Sequence, residues 1–224
     1  GGMLKIGAMT REVETEESAE IAVHFPIFAD VAKLIADPQV RNFGTLGGNL
    51  AHGDAANDQP AVMLALDASV EIAGLDGRRT VGIDDFFYGF YSTAVQEGEI
   101  LTEILIPIPS GRSGNAYHKV ERKVGDYATG GVAVHLEMDE QGICTKAGIG
   151  LTNVNPTPLR AVRSEAALVG TSLDDAAIAS AAQYASEDCN PSTDLRGDID
   201  YKRHIIREVT KKMINKAKQL AFKN

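Results

Sequence analysis

The sequence predicts an α+β fold in two parts, residues 1–110 and 115–224. Three observations predict it. Residues 107–115, PIPSGRSGN, hold two prolines, two glycines and two serines, the strongest break in the chain. After the break, strand patterns come first and helical patterns last, the order of an α+β unit. Before it, strand and hairpin signals bracket a helical stretch, which points to a mostly antiparallel sheet with flanking helices.

In the first part, residues 3–8 alternate as a strand. Residues 13–37 read as helical, with Pro26 suited to a first helical turn and Asp37-Pro38 as the stop. A glycine-rich loop follows over 40–58, and residues 60–68 form a short helix behind Pro60. Residues 69–73 and 79–83 pair as a hairpin around Leu75-Asp76-Gly77. Residues 83–91, IDDFFYGFY, read as a short helix capped by Asp84-Asp85, its aromatics destined for core or subunit interface. Residues 99–107 are a strand ended by Pro107.

In the second part, residues 116–123, 130–138 and 143–152 are expected to form a three-stranded antiparallel sheet. Val132, Val134, Leu136 and Met138 face one way; Ala133, His135 and Glu137 face the other. Residues 139–142 make the hairpin loop between the last two strands. Residues 173–187 are an alanine-rich helix with Ser172 as N-cap. Residues 200–221 place Tyr201, Ile205, Val209, Met213, Ala217 and Ala221 on one stripe that packs on the sheet.

Composition narrows the function. The chain has 224 residues, 44% hydrophobic and 24% charged, ordinary values for a globular protein. Its 22 basic and 31 acidic residues give a net charge of −9, which argues against the basic face that nucleic acid requires. Cys144 and Cys189 lie far apart and outside any CxxC spacing, so neither an iron–sulfur cluster nor a zinc site is built here. They read as reduced thiols of a cytoplasmic protein. No run of 18 apolar residues exists to span a membrane. Histidine spacing fits no metal motif, and no GxSxG or Cys–His arrangement points to a nucleophile. His52 near Asp54 reads as a polar residue at a loop end.

The most informative stretch is VRNFGTLGGNLAHGDAAND, residues 40–58. Gly44, Gly47 and Gly48 allow a close backbone approach and positive φ. Successive N–H groups from Gly44, Thr45, Leu46, Gly47 and Gly48 suit a pyrophosphate. Thr45 and Asn49 add side-chain bonds, and Asp58 offers an acceptor for ligand hydroxyls. The glycines alone would equally suit a plain strand–turn–helix connection. Further on, Tyr117 and Lys119 share a strand face. An aromatic there can lie over a ring and a cation can balance charge on it; a cross-strand tyrosine beside a surface ion pair is the plainer alternative. Arg122 and Asp126 read as structural.

The whole string resembles the flavin-binding subunits of the molybdenum hydroxylases: the carbon monoxide dehydrogenase medium chain, its aldehyde and nicotinate dehydrogenase relatives and the middle domain of xanthine dehydrogenase. GMLKIGAMT at 2–10, EILTEILIP at 99–107, YHKVERKVGDYAT at 117–129 and NPTPLRAVRSEAALVG at 155–170 are similar to further segments of that family. The resemblance implies a partial FAD-binding domain of the PCMH type over 1–110. It implies a C-terminal domain of the CO dehydrogenase flavoprotein type over 115–224. It assigns the FAD pyrophosphate to Gly44, Thr45, Leu46, Gly47, Gly48 and Asn49, the ribityl chain to Asp58, and the isoalloxazine to Leu101, Tyr117 and Lys119. The implied partners are a large subunit carrying the molybdenum cofactor, a small 2Fe-2S subunit and an electron acceptor; substrate chemistry needs no residue of this chain. In the family a βαβ unit with an A-G-G-x-[ST] loop grips the other side of the pyrophosphate. This sequence has no such loop, so weak FAD binding by the chain alone is expected. The alternative is a cofactor-free assembly or structural module derived from the same family.

Overall fold

The computed structural model describes residues 2–223; Gly1 and Asn224, the ends of the two expected parts, lie outside them. Among the described residues the architecture is two four-stranded antiparallel sheets and a two-stranded hairpin, with helices packed on and between the larger sheets. Strand β1 (Met3–Gly7) begins the first sheet. Helices α1 (Glu12–Glu17), α2 (Ala19–His24) and α3 (Ile27–Ala32) follow, so the expected helical stretch is broken at Ser18 and Phe25-Pro26. Ser18 caps α2 through the Ile21 N–H, which is why a short polar residue restarts the helix there.

Residues expected to form a stop and a loop instead form two short helices, α4 (Pro38–Phe43) and α5 (Leu46–His52). The reason is capping. Asp37 accepts from the Val40 N–H, so Asp37-Pro38 starts α4 instead of ending α3. Thr45 accepts from the Gly48 N–H and starts α5, which Gly53 ends at φ 67°.

Helix α6 (Gln59–Ala65) leads into the hairpin of β2 (Ser69–Gly74) and β3 (Gly77–Gly82). The helix expected over 83–91 is absent. A 3-10 turn at Ile83–Asp85 precedes a small hairpin of β4 (Phe87–Gly89) and β5 (Ser92–Thr93). Neither Asp84 nor Asp85 caps it; Asp84 pairs with Arg160 at 3.0 Å. Phe86 is fully buried, whereas Tyr88, Phe90 and Tyr91 are exposed. Strand β6 (Ile100–Pro107) completes a sheet of order β1-β6-β2-β3.

The second sheet contains β7 (Arg112–Val120), β8 (Gly130–Met138) and β9 (Cys144–Thr152). A short fourth strand, β10 (Leu159–Arg160), extends the expected three at the β9 edge. Two residues carry no periodicity, so sequence reading could not see it. Helix α7 (Val162–Leu168) was likewise not expected. Helix α8 (Asp175–Asp188) is capped by Asp174, not Ser172, because Leu173 turns at φ 55° and delays the start. Helix α9 (Ile199–Ala221) buries Ile205, Val209, Met213, Ala217 and Ala221 as its pattern required, while Tyr201 stays exposed.

Both faces of the second sheet are covered. Val132, Val134, Leu136, Ile149 and Leu151 join α7, α8 and α9 in one core. Tyr117 and Ala133, on the other face, join the core of the first part. Helix α6 lies along β9 on that face. A Cβ at Gly148 would stand 1.9 Å from the Ala65 carbonyl oxygen, and one at Gly150 would stand 2.0 Å from that of Ala61. The spacings match: four helical residues rise about 6 Å and two strand residues about 6.8 Å. Asn115 adds a polar tie, accepting the Ile27 N–H at 2.9 Å where α2 gives way to α3.

Gly150→Ala is therefore expected to force α6 off the sheet and to destabilise the protein by about 3 kcal/mol. Thermal melting should show a fall in midpoint of roughly 6–12 °C. Gly82→Ala, with no atom within 4 Å of its new methyl, should leave the midpoint unchanged.

Candidate functional site

The register of α6 on β9 decides where Asp58 points. Asp58 precedes α6 but does not cap it. Its carboxylate turns sideways and accepts from the Tyr117 hydroxyl at 2.5 Å and from Lys119 Nζ at 2.9 Å. Lys119 also donates to the Asp126 carbonyl at 2.9 Å and lies 3.5 Å from Glu121 Oε2. The three partners are 2–5% exposed. Burial raises the Asp58 carboxyl, against the pull of the Lys119 ammonium. Burial and the adjacent carboxylate hold the Tyr117 phenol well above its ordinary value.

A second polar cluster lies beneath the glycine string. Glu12 is 2% exposed and accepts from Gln59 Nε2 at 2.6 Å and Asn49 Nδ2 at 3.3 Å. Burial pushes its carboxyl up to about 7, and the nearby Asp58 adds to the rise. The Asn49 and Gln59 side-chain oxygens are buried without a hydrogen-bond partner.

The two clusters meet at a cleft of about 290 Å³, whose walls include Val40, Asn49, Asp58, Lys119, Asp126 and Tyr127. Asn49 comes from α5, Asp58 from the start of α6, and Lys119 from β7. Arg196 and Arg122 hold the Asp126 carboxylate, and the Arg196 bond chiefly lowers it to about 2. Arg196 also lies over the Tyr127 ring at 5.8 Å.

The expected site residues divide. Asn49, Asp58 and Lys119 reach the cleft together. Gly44, Thr45, Leu46, Gly47 and Gly48 form the start of α5 below it, with Leu46 fully buried. Their N–H groups are not an open concavity. Those of Gly44, Leu46, Gly47 and Gly48 go to Val40 O, Thr10 O, Ala8 O and Thr45 Oγ1. Gly47 is glycine for packing: a Cβ there would lie 2.5 Å from the Ala8 Cβ. Leu101 is buried in the core of the first sheet, opposite Ile72, and does not line the cleft. Tyr117 shares its strand face with Lys119 as expected, but that face lies under α6, so its ring is not presented to a ligand. The exposed aromatic on the cleft is Tyr127, which sequence reasoning passed over; the turn signal of Gly125, at φ 80°, was the available clue. His52 contacts Asn57 at 3.1 Å, and Asp54 accepts from Tyr91, so they form no dyad.

Residues 1–109 match the model of the FAD binding domain in molybdopterin dehydrogenase. Residues 115–217 match the CO dehydrogenase flavoprotein C-terminal domain. The chain belongs to the flavin-binding medium subunits of the molybdenum hydroxylases. It is 44% identical over 216 residues to the carbon monoxide dehydrogenase medium chain of Afipia carboxidovorans, covering 96% of this chain and 75% of that one. It is 36% identical over 215 residues to the 6-hydroxypseudooxynicotine dehydrogenase complex subunit alpha of Paenarthrobacter nicotinovorans, covering 96% and 72%. Its fold matches the solved carbon monoxide dehydrogenase of Hydrogenophaga pseudoflava lacking the Mo-pyranopterin moiety. The TM-score is 0.93 at 45% identity, over 97% of this chain and 75% of that chain. Among the described residues no cluster of three His, Cys, Asp or Glu is placed for a metal ion, and both cysteines are free and buried. No described helix is long and apolar enough to cross a membrane.

The donor set fits FAD at the cleft: an amide with an unpartnered oxygen, a carboxylate that can accept from hydroxyls, and a cation.

Two stability measurements probe these clusters. Lys119→Met strips the buried Asp58 of its counter-charge and should cost about 3–5 kcal/mol. Tyr117→Phe removes one hydroxyl donor and should cost only about 1–2 kcal/mol in the same denaturant titration. The raised Glu12 carboxyl binds its proton more tightly folded than unfolded. Its contribution is complete below pH 4.5, its ordinary value, and is lost as pH rises to about 7. Relative to Glu12→Gln, the wild type should lose roughly 3 kcal/mol across that window.

Proposed function

We propose that the cleft between α5 and the β7–β8 loop holds FAD, and that the chain serves as the flavin-carrying subunit of a molybdenum hydroxylase. In this reading it takes electrons from iron–sulfur clusters of a small subunit and delivers them to an acceptor. The molybdenum-bearing large subunit chooses the substrate. The carrying observation is the convergence of Asn49, Asp58 and Lys119 on one cleft from three separate segments. Bound FAD supplies the redox chemistry; the protein supplies position and electrostatics.

Each residue has a distinct part. Asn49 offers its unpaired amide oxygen to the ribityl hydroxyls, its NH2 being turned to Glu12. Thr45 orders α5 beneath it, so its hydroxyl acts through helix geometry. Asp58 accepts from ligand hydroxyls. Lys119 supplies the counter-charge to that carboxylate at 2.9 Å. Tyr117 fixes the carboxylate from the opposite side. Leu101 supports the sheet behind. We place the protein in the cytoplasm, where its two buried thiols stay reduced.

Asn49→Ala in the assembled complex should weaken FAD binding by up to about tenfold, the worth of one hydrogen bond. The thermal midpoint of the cofactor-free protein should fall by only about 2–4 °C, because Asn49 is partly buried and gives up one long bond, 3.3 Å, to Glu12. FAD content after dialysis measures the first and melting of the stripped complex the second. Full retention of FAD by Asn49→Ala would remove the cleft from consideration.

A further inference from the structure

Glu12 does not itself line the cleft and has no role in the function proposed above, yet it is bonded to two of the segments that do. Its backbone N–H donates to the Gly44 carbonyl at 2.9 Å, and Arg11 forms a β-bridge with Thr45. Its carboxylate takes one amide from α5, through Asn49, and one from α6, through Gln59. Gln59 directly follows Asp58. A single buried side chain thus spans the two segments whose neighbouring residues line the cleft. Gln59 is fully buried, and each amide leaves its own oxygen unpartnered. Nothing else among their hydrogen bonds dictates how these amides turn: Glu12 alone points both NH2 groups inward.

We propose that Glu12 is a positioning residue of the cofactor site: it sets the side-chain orientation of Asn49 and, through Gln59, locks the start of α6 that carries Asp58. The inference rests on the cleft being the FAD site. The chemistry requires two acceptors at one point, converging on donors from two helices. A carboxylate supplies both. A glutamine supplies one acceptor, which keeps the Asn49 NH2, and one donor, which has a ready partner once Gln59 turns to present its unpaired oxygen. An apolar side chain supplies neither, leaving two buried NH2 groups unsatisfied. Burial raises the Glu12 carboxyl, which marks the site as one that tolerates a neutral group there.

The test is a set of variants in the complete complex, read by FAD titration of the stripped protein and by its melting midpoint. Glu12→Met, of similar volume, should weaken FAD binding at least tenfold. Glu12→Gln should recover affinity to within about threefold of wild type. Asn49→Ala added to Glu12→Met should cost little beyond Glu12→Met alone, since Glu12 already acts in part through the Asn49 amide. Wild-type affinity in Glu12→Met, no recovery in Glu12→Gln, or fully multiplicative effects in the double variant would each overturn the proposal. If Glu12→Met does not fold, Glu12→Asp takes its place: the shorter carboxylate keeps the charge but cannot reach both amides, and normal affinity there is equally fatal. The Asn49→Ala single variant separates the two failures. If it loses FAD while Glu12→Met does not, only the role of Glu12 falls; if it keeps FAD, the cleft assignment falls and the role of Glu12 with it.

Discussion

The close seating of α6 on β9 is the contact on which the rest of the molecule depends. Two glycines, Gly148 and Gly150, let helix carbonyls touch the strand backbone. That contact joins the two sheets through a shared layer and fixes the axial position of α6. Asp58, one turn beyond Ala61, is then brought beside Tyr117 and Lys119. A helix seated one or two ångströms further out would leave a buried carboxylate without its cation. The electrostatics of the cleft are a consequence of steric fit, and neither sheet could assemble them alone.

Much of this architecture was legible in the chain. The alternation of β8 fixed its two faces, and the stripe on α9 named the side that packs. The segments 69–73 and 79–83 paired as their turn residues required. The failures have local causes. Asp37-Pro38 reads locally as a stop and the glycines around Thr45 as a loop, but each stretch supplies an N-cap followed by residues a first turn accepts. The aromatic run after Ile83 lacks the apolar spacing of a helix and folds as a small hairpin. Strand β10 is too short to have a period at all.

The site was legible in part, and the division is instructive. Asn49, Asp58 and Lys119 were identified and converge. Tyr117 was placed on the correct strand face, yet that face is roofed by α6, which no local pattern reports. The Asp58–Lys119 ion pair spans 61 residues and exists only because two sheets dock. Glu12 was invisible for the same reason: an acidic residue in an acidic helix gives no sign that it alone is buried. Long-range polar contacts of this kind are a property of packing, and packing is what a linear reading lacks.

Gly47 carries a last consequence. It belongs to the glycine string by which such chains are recognised, yet the atom that forbids a side chain there is the Ala8 methyl of the chain itself. The string is therefore in part an architectural necessity. A lineage that abandoned its flavin would still be obliged to keep this glycine in order to close α5 against β1. Signature searches built on the string would continue to find such descendants, and the glycines would be the last letters to change. Loss of cofactor would be written first at Asn49, where no backbone contact enforces the residue.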